Sequence, residues 1–266
     1  MKKELNYGIN FHQTFPPTPF YIGRILLIAD GRKMSAREIS DETGIPQGES
    51  SGKVVPHLKY AAYMGLIESD ISAPTLTMLG KTVLEQDGYC REELTQWIMH
   101  SNLCSRIGAP MWSFFVRDLL HNNHMSISKD YLSNQMLAKF GTAKYTPVIT
   151  TYNEFSAINY LQVDKTSGRV EITPQRINKE LLYMYGYELL REWDIVYPNS
   201  HEITAEELYG LACSECLGMN ENQWFEVLEQ LSAKSICRIN KQLTPFTVVR
   251  LSSPDLLIGK LYSNLV

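Results

Sequence analysis

The sequence predicts a mainly α fold with small β-hairpins, in which two winged helix-turn-helix domains flank a helical middle region. Three observations predict it. Ser35 with Glu38 and Thr204 with Glu207 have capping-box spacing, in which a hydroxyl accepts from the backbone three residues on and the glutamate reaches back. Each such helix start is followed, within about 30 residues, by short apolar runs separated by turn residues, the pattern of a hairpin. Between them, Leu94, Trp97 and Ile98, then Trp112, Phe115, Val116 and Leu119, recur at the spacing of one buried helix face.

The elements follow in order. Residues 1–19 read as an extended N-terminal arm, because Pro16 and Pro17 lack backbone donors and hold φ near its polyproline value. Residues 20–90 read as the first winged helix-turn-helix. Ile22, Ile25, Leu26 and Ala29 mark its first helix, Ser35 caps the second, Thr43-Gly44-Ile45-Pro46 stops it, and a third spans about 53–64 before Gly65. A strand at Leu66-Ile67, a turn at Ser72-Ala73-Pro74 and a return at Leu76-Thr77 supply the wing, ahead of a helix begun by Leu79-Gly80-Lys81. Residues 91–174 read as the helical middle: helices on the two apolar repeats, on 128–140 and on 145–161, then a turn at 164–168 and a strand at 169–172. Residues 175–266 read as a second winged-helix-like domain. It has a helix over 176–193, one from Thr204 to Cys216 stopped by Gly218, one begun by Asn220 and Gln223, and a hairpin from 235–239 and 246–250.

Composition bounds the function. The chain has 266 residues, 44% hydrophobic and 20% charged, an ordinary globular balance, and no run of eighteen apolar residues predicts a membrane span. The first residues lack a signal-type apolar core, and five irregularly spaced cysteines suit a reducing compartment, so a cytoplasmic location is expected. The formal net charge is −4, and no third is strongly basic: residues 1–90 hold 9 Lys+Arg against 10 Asp+Glu, 91–174 hold 8 against 7, and 175–266 hold 8 against 12. Phosphate neutralisation dominates affinity for DNA, so any DNA contact is expected to be local or completed by a partner.

Motifs of catalysis are few. Gly48-Glu49-Ser50-Ser51-Gly52-Lys53 imitates a phosphate loop but is one residue short before Gly-Lys, is followed by Val54 and follows no strand; it reads as a turn before a helix. Cys213-x-x-Cys216 lacks the second pair a zinc site needs. His100 with Cys104, and His121 with His124, have no companion acids nearby in sequence. No enzyme, cofactor or metal is therefore predicted, although an enzyme acting on nucleic acid through His12, His100 and nearby acids stays open.

Several of these residues also resemble a bacterial family, the domain of unknown function 4007 (DUF4007). The resemblance rests on Phe11-His12-Gln13-Thr14-Phe15, on the Gly48–Lys53 turn leading to 59–67, on Leu76-Thr77-x-Leu79-Gly80-Lys81, and on 93–100 followed by Trp112-Ser113-Phe114-Phe115. Gln13 stands where that family has an acid, and Phe11 where it has glycine. The resemblance implies an accessory protein encoded beside DNA phosphorothioation and anti-phage defence genes, with the proteins of such a complex as partners.

The expected function is thus double-stranded DNA binding in a targeting or regulatory role. Gln47, Ser50, Ser51, Lys53, His57, Lys59 and Tyr60 are the candidates at the first recognition helix. Arg238, Lys241 and Arg250 are those on the second wing, and His12 and Gln13 those on the arm. The rival is an adaptor whose winged helices dock proteins; gathering of the cations on one side separates the two. The oligomeric state is not legible.

Overall fold

The computed structural model describes residues 5–49, 51–242 and 244–265. Helices make up about half of the chain, and two three-stranded antiparallel sheets supply the rest of its regular structure. Among the described residues no helix is long and apolar enough to cross a membrane.

One connectivity occurs three times. The first unit has α1 (Pro19–Ile28), α2 (Ala36–Thr43) and α3 (Val54–Tyr63), with its strands reduced to single bridges, Asp30 to Thr75 and Ile67 to Leu76. Two connecting helices follow, α4 (Met78–Asp87) and α5 (Glu93–Leu103). The middle unit opens with α6 (Pro110–Ser113), which runs into a π-helix over Phe114–Leu120. It continues through β1 (Ser126–Ser128), α7 (Lys129–Phe140), α8 (Thr146–Glu154), β2 (Leu161–Val163) and β3 (Arg169–Ile172), with sheet order β1-β3-β2. The third unit has α9 (Leu182–Val196), β4 (Glu202–Thr204), α10 (Ala205–Tyr209), α11 (Cys213–Cys216), α12 (Glu221–Ala233), β5 (Cys237–Asn240) and β6 (Thr247–Arg250), in order β4-β6-β5. A last helix, α13 (Pro254–Ile258), packs on α9 and α4. In each unit the strand after the first helix pairs with the last strand.

The capping boxes form as expected. Ser35 Oγ accepts from Glu38 N–H while the Glu38 carboxylate takes the Ser35 N–H at 2.7 Å, and Thr204 with Glu207 repeats this. Asn220 and Gln223 close a third box. The helix expected from Thr204 to Cys216 breaks instead at Tyr209. Ala212 turns left-handed (φ 56°), and the Leu211 and Ala212 carbonyls, which a continuing helix would retain, accept from Arg117 at 2.9 and 3.2 Å. The helix expected over 145–161 stops at Glu154, and Leu161 already belongs to β2. The helix expected from 176 begins at Leu182, after a 3-10 turn over Lys179–Leu181.

The N-terminal arm is not an extended, free segment. Phe11 is buried among Tyr60, Tyr63 and Trp112, with ring centroids 4.8 to 5.8 Å away. Tyr60 Oη donates to the Phe15 carbonyl at 2.8 Å, and Tyr7 Oη to that of Ser69 at 2.5 Å. Aromatic burial of this kind outweighs the extended preference of two prolines, and the arm becomes a strap across α3.

Gly80 shows how closely α4 approaches the first unit. Thr77 caps α4 and donates to the Gly65 carbonyl at 2.6 Å, and a Cβ on Gly80 would lie 1.8 Å from the Leu66 carbonyl oxygen. Gly80→Ala is expected to lower unfolding free energy by about 1–3 kcal/mol, measured as an earlier urea midpoint at unchanged slope. A wild-type midpoint would contradict the close approach.

Candidate nucleic-acid interface

The three units give the helix before their hairpin three different fates, and this decides which could face a duplex. In α3, eight of ten residues are buried, including Pro56, His57, Leu58, Tyr60 and Tyr63. The strap, α1, α5 and Trp112 enclose it, so the expectation that α3 enters the major groove is overturned. His57 is fully buried; its Nδ1–H donates to the Lys53 carbonyl at 2.6 Å, and Nε2 accepts the Thr18 N–H at 3.1 Å. Burial holds its pKa down at about 4. Tyr60 is likewise a core residue, not a reader of bases. Lys59 is half-buried, its Nζ 5.8 Å from the Tyr7 ring.

His12 is also corrected. It is completely buried beside Trp112, its Nδ1 accepts the Thr14 N–H at 3.0 Å, and burial, then the Lys144 charge, push its pKa down to about 4. The donor this leaves on Nε2 has no partner among the described residues. Of the two arm candidates, Gln13, exposed at a left-handed φ of 48°, stays on the surface of the strap.

At the start of α3 the predicted turn does form. Gln47 bridges to Gly52, the Gly48 N–H donates to the Ser51 carbonyl at 2.8 Å, and the Lys53 N–H to the Pro46 carbonyl at 2.8 Å. Ser50 lies outside the described residues. Ser51 is exposed, and Lys53 stands between two rings, its Nζ 5.6 Å from Phe15 and 5.4 Å from Tyr21. An open depression of about 650 Å³ lies here, lined by Arg37, Gln47, Ser51 and Lys53 among others, with Asp41 the one carboxylate among the described lining residues and exposed Glu49 in the turn beside it.

In the third unit, α12 turns Glu221, Glu226 and Glu229 outward, a face that repels phosphate. The expected basic wing does not gather. Lys241 is tied to Glu229 at 2.7 Å. Arg250 pairs with Cys237 across the ladder, so it lies on the opposite face from Arg238, and it is ion-paired to Asp194. Of these three candidates, Arg238 is the one that is exposed without an ion pair among the described residues. Spacing in the sequence brought these cations together; strand alternation and acidic neighbours separate them.

The middle unit is the exception. α8 buries Pro147, Val148, Thr151 and Tyr152, with Trp112 Nε1 donating to Thr151 Oγ1 at 3.0 Å, and leaves Thr146 and Asn153 exposed with Ile149 and Thr150 half-exposed between them. No carboxylate interrupts this face before Glu154. Exposed Lys144 stands two residues ahead of the helix, and exposed Lys165 stands in the β2–β3 turn. There the Asp164 carboxylate is taken by the Thr166 N–H and Ser167 hydroxyl. The sequence does not single out these residues because one strand, at 169–172, is legible in the middle without its partners: β1 and β2 are three residues each, too short to alternate visibly.

No protein-family model matches the chain, and no curated protein matches it. Its fold is similar to that of the magnesium-ion-bound crystal structure of SspB, with TM-score 0.77 and 15% identity, covering 98% of this chain and 89% of that one. A second SspB crystal structure is similar at TM-score 0.75, again with 15% identity, 98% and 89%. These likenesses concern the fold alone.

Proposed function

We propose that the chain is a winged-helix DNA-binding protein that serves a bacterial DNA-sulfur modification or anti-phage defence system as an accessory or targeting subunit, with α8 as the helix that enters the major groove. The arrangement of helix, strand, helix, helix and hairpin, with the first strand paired to the last, is that of a winged helix, and on this reading the middle region is a third such unit. The single observation that carries the proposal is the α8 face: Thr146, Thr150 and Asn153 around Ile149, free of carboxylates until its last residue, and flanked by Lys144 at its start and Lys165 at the wing tip. Those two positions are where a winged helix meets the phosphate backbone on either side of the groove. The resemblance of the strap and first unit to the domain of unknown function 4007 supplies the biological setting.

The adaptor reading is favoured for one part of the molecule. The acidic outward face of α12, with half-exposed Phe225 beside it, suits a protein partner and not DNA. The magnesium of the SspB structure is not carried over, because among the described residues no three His, Cys, Asp or Glu side chains converge to hold a metal ion.

Thr150→Glu places a carboxylate in the middle of the α8 face and is expected to weaken duplex binding about tenfold or more, read by fluorescence anisotropy at low salt. Glu226→Ala on α12 is the control and should leave affinity unchanged. If Thr150→Glu binds as tightly as the unaltered protein, α8 is not the groove helix.

A further inference from the structure

The α8 surface does not end at α8. Lys144 is close enough to His12 for its charge to lower the histidine pKa, and His12 begins the four strap residues that end at Phe15. Phe15 in turn lines the depression at the start of α3 and lies 5.6 Å from Lys53 Nζ. Three residue steps span at most about 10 Å, so two cations on different units are joined by one short piece of backbone. Trp112 fixes this relation, because its ring packs on Phe11, His12 and Tyr60 while its Nε1 bonds α8. The pieces cannot drift apart without opening that aromatic cluster.

The depression has the chemistry of a phosphate contact. Arg37 is 74% exposed and held loosely by Asp41 at 3.4 Å, and Lys53 carries no ion pair among the described residues. Ser40 and Ser51 add hydroxyls to the lining, alongside Gly48 and Gly52. Its openness suits a backbone lying across it, not an enclosed small molecule.

We propose that Lys144, the outer edge of the strap at Gln13, Lys53 and Arg37 form one continuous track for a single DNA strand, so that a duplex seated on α8 is also held along its flank by the first unit. The track rests on the reading of α8 as the groove helix and adds a second, sequence-independent contact to it. The first unit, whose own recognition helix is buried, thereby acts on the backbone only. Contacts of this kind set register and salt dependence without reading bases. On this track a duplex longer than the α8 contact runs on along the strap to the depression.

The test is salt-dependent anisotropy with a duplex of one helical turn (about 10 bp) and one of three turns (about 30 bp). On the long duplex, Lys53→Gln and Arg37→Ala are each expected to lower the slope of log K against log salt by about 1. On the short one they should change nothing, whereas Lys144→Ala should lower the slope on both. Arg37 is exposed and Gln keeps most of the Lys53 stem, so both variants should melt as the unaltered protein does. Unchanged slopes on the long duplex, with Lys144→Ala still effective, overturn the track and leave the α8 reading standing. Equal losses on both lengths also overturn it, because the depression would then belong to the groove contact itself. Failure of the unaltered protein to bind either duplex overturns the α8 reading, and the track with it.

Discussion

Glu188→Ala is expected to cost about 3–5 kcal/mol of stability, a large part of what a domain has. Glu188 sits fully buried on α9, its Oε1 2.5 Å from Arg117 Nη2 and its Oε2 accepting from Arg191 and from Ser101 at 2.5 Å. Glu192 completes the group, 3.0 Å from Arg191 and 3.6 Å from Arg117. Burial alone would raise the Glu188 carboxyl, but Arg117 and Arg191 beside it hold it down at about 2. Removing that carboxylate leaves two guanidinium groups with one carboxylate between them, in buried surroundings. Equilibrium urea unfolding reads the loss. A variant within about 1 kcal/mol of the unaltered protein would mean that the charges are not mutually dependent. Replacing Arg117, Glu188, Arg191 and Glu192 together with apolar residues of similar volume should recover much of the loss, since no buried charge is then left unpaired and apolar packing costs no desolvation.

Acid is expected to unfold the molecule in two overlapping steps, the larger between pH 6.5 and 4. Burial lowers His12, His57 and His100 each to about 4. The unfolded chain, with histidines near 6.5, therefore takes up protons first, and stability falls as pH drops through that window and levels below it. Each histidine contributes on the order of 2–3 kcal/mol at neutral pH. Bonding supports this direction. His57 meets a carbonyl on one nitrogen and an N–H on the other, so a second ring proton would face the Thr18 N–H. His100 has the Cys216 carbonyl 2.8 Å from Nε2 and the Tyr152 hydroxyl 3.0 Å from Nδ1. Glu188, depressed in the folded state, adds its loss as pH falls from about 4.5 toward 2. Thermal melts from pH 8 to 4 measure this; a melting temperature flat from pH 7 to 4.5 contradicts it.

Much of this architecture was legible. Capping boxes report on four consecutive residues and their own backbone, so Ser35, Thr204 and Asn220 marked helix starts correctly. Hidden were features that depend on distant residues. Nothing near Ala212 in the chain says that Arg117 will take its carbonyl, and nothing near Pro16 says that Phe11 will sink between Tyr60 and Trp112. The candidate site failed for the same reason. His57 and Tyr60 are polar residues on a helix whose outward side another segment covers, and Lys241 and Arg250 are cations whose partners, Glu229 and Asp194, lie 12 and 56 residues away. Local pattern identifies elements; which face remains uncovered is settled by the rest of the molecule.

Arg117 bears one more consequence. From the π-helix it reaches the Cys104 carbonyl behind α5, the Leu211 and Ala212 carbonyls, and Glu188 on α9. Hinging between the middle and third units would strand a charge in apolar surroundings, at several kcal/mol. The middle and third units are therefore tied together, and on the proposed function a nucleic acid lying against them must supply the curvature itself. Steps that bend easily, such as pyrimidine–purine junctions, would then be selected at positions no side chain touches.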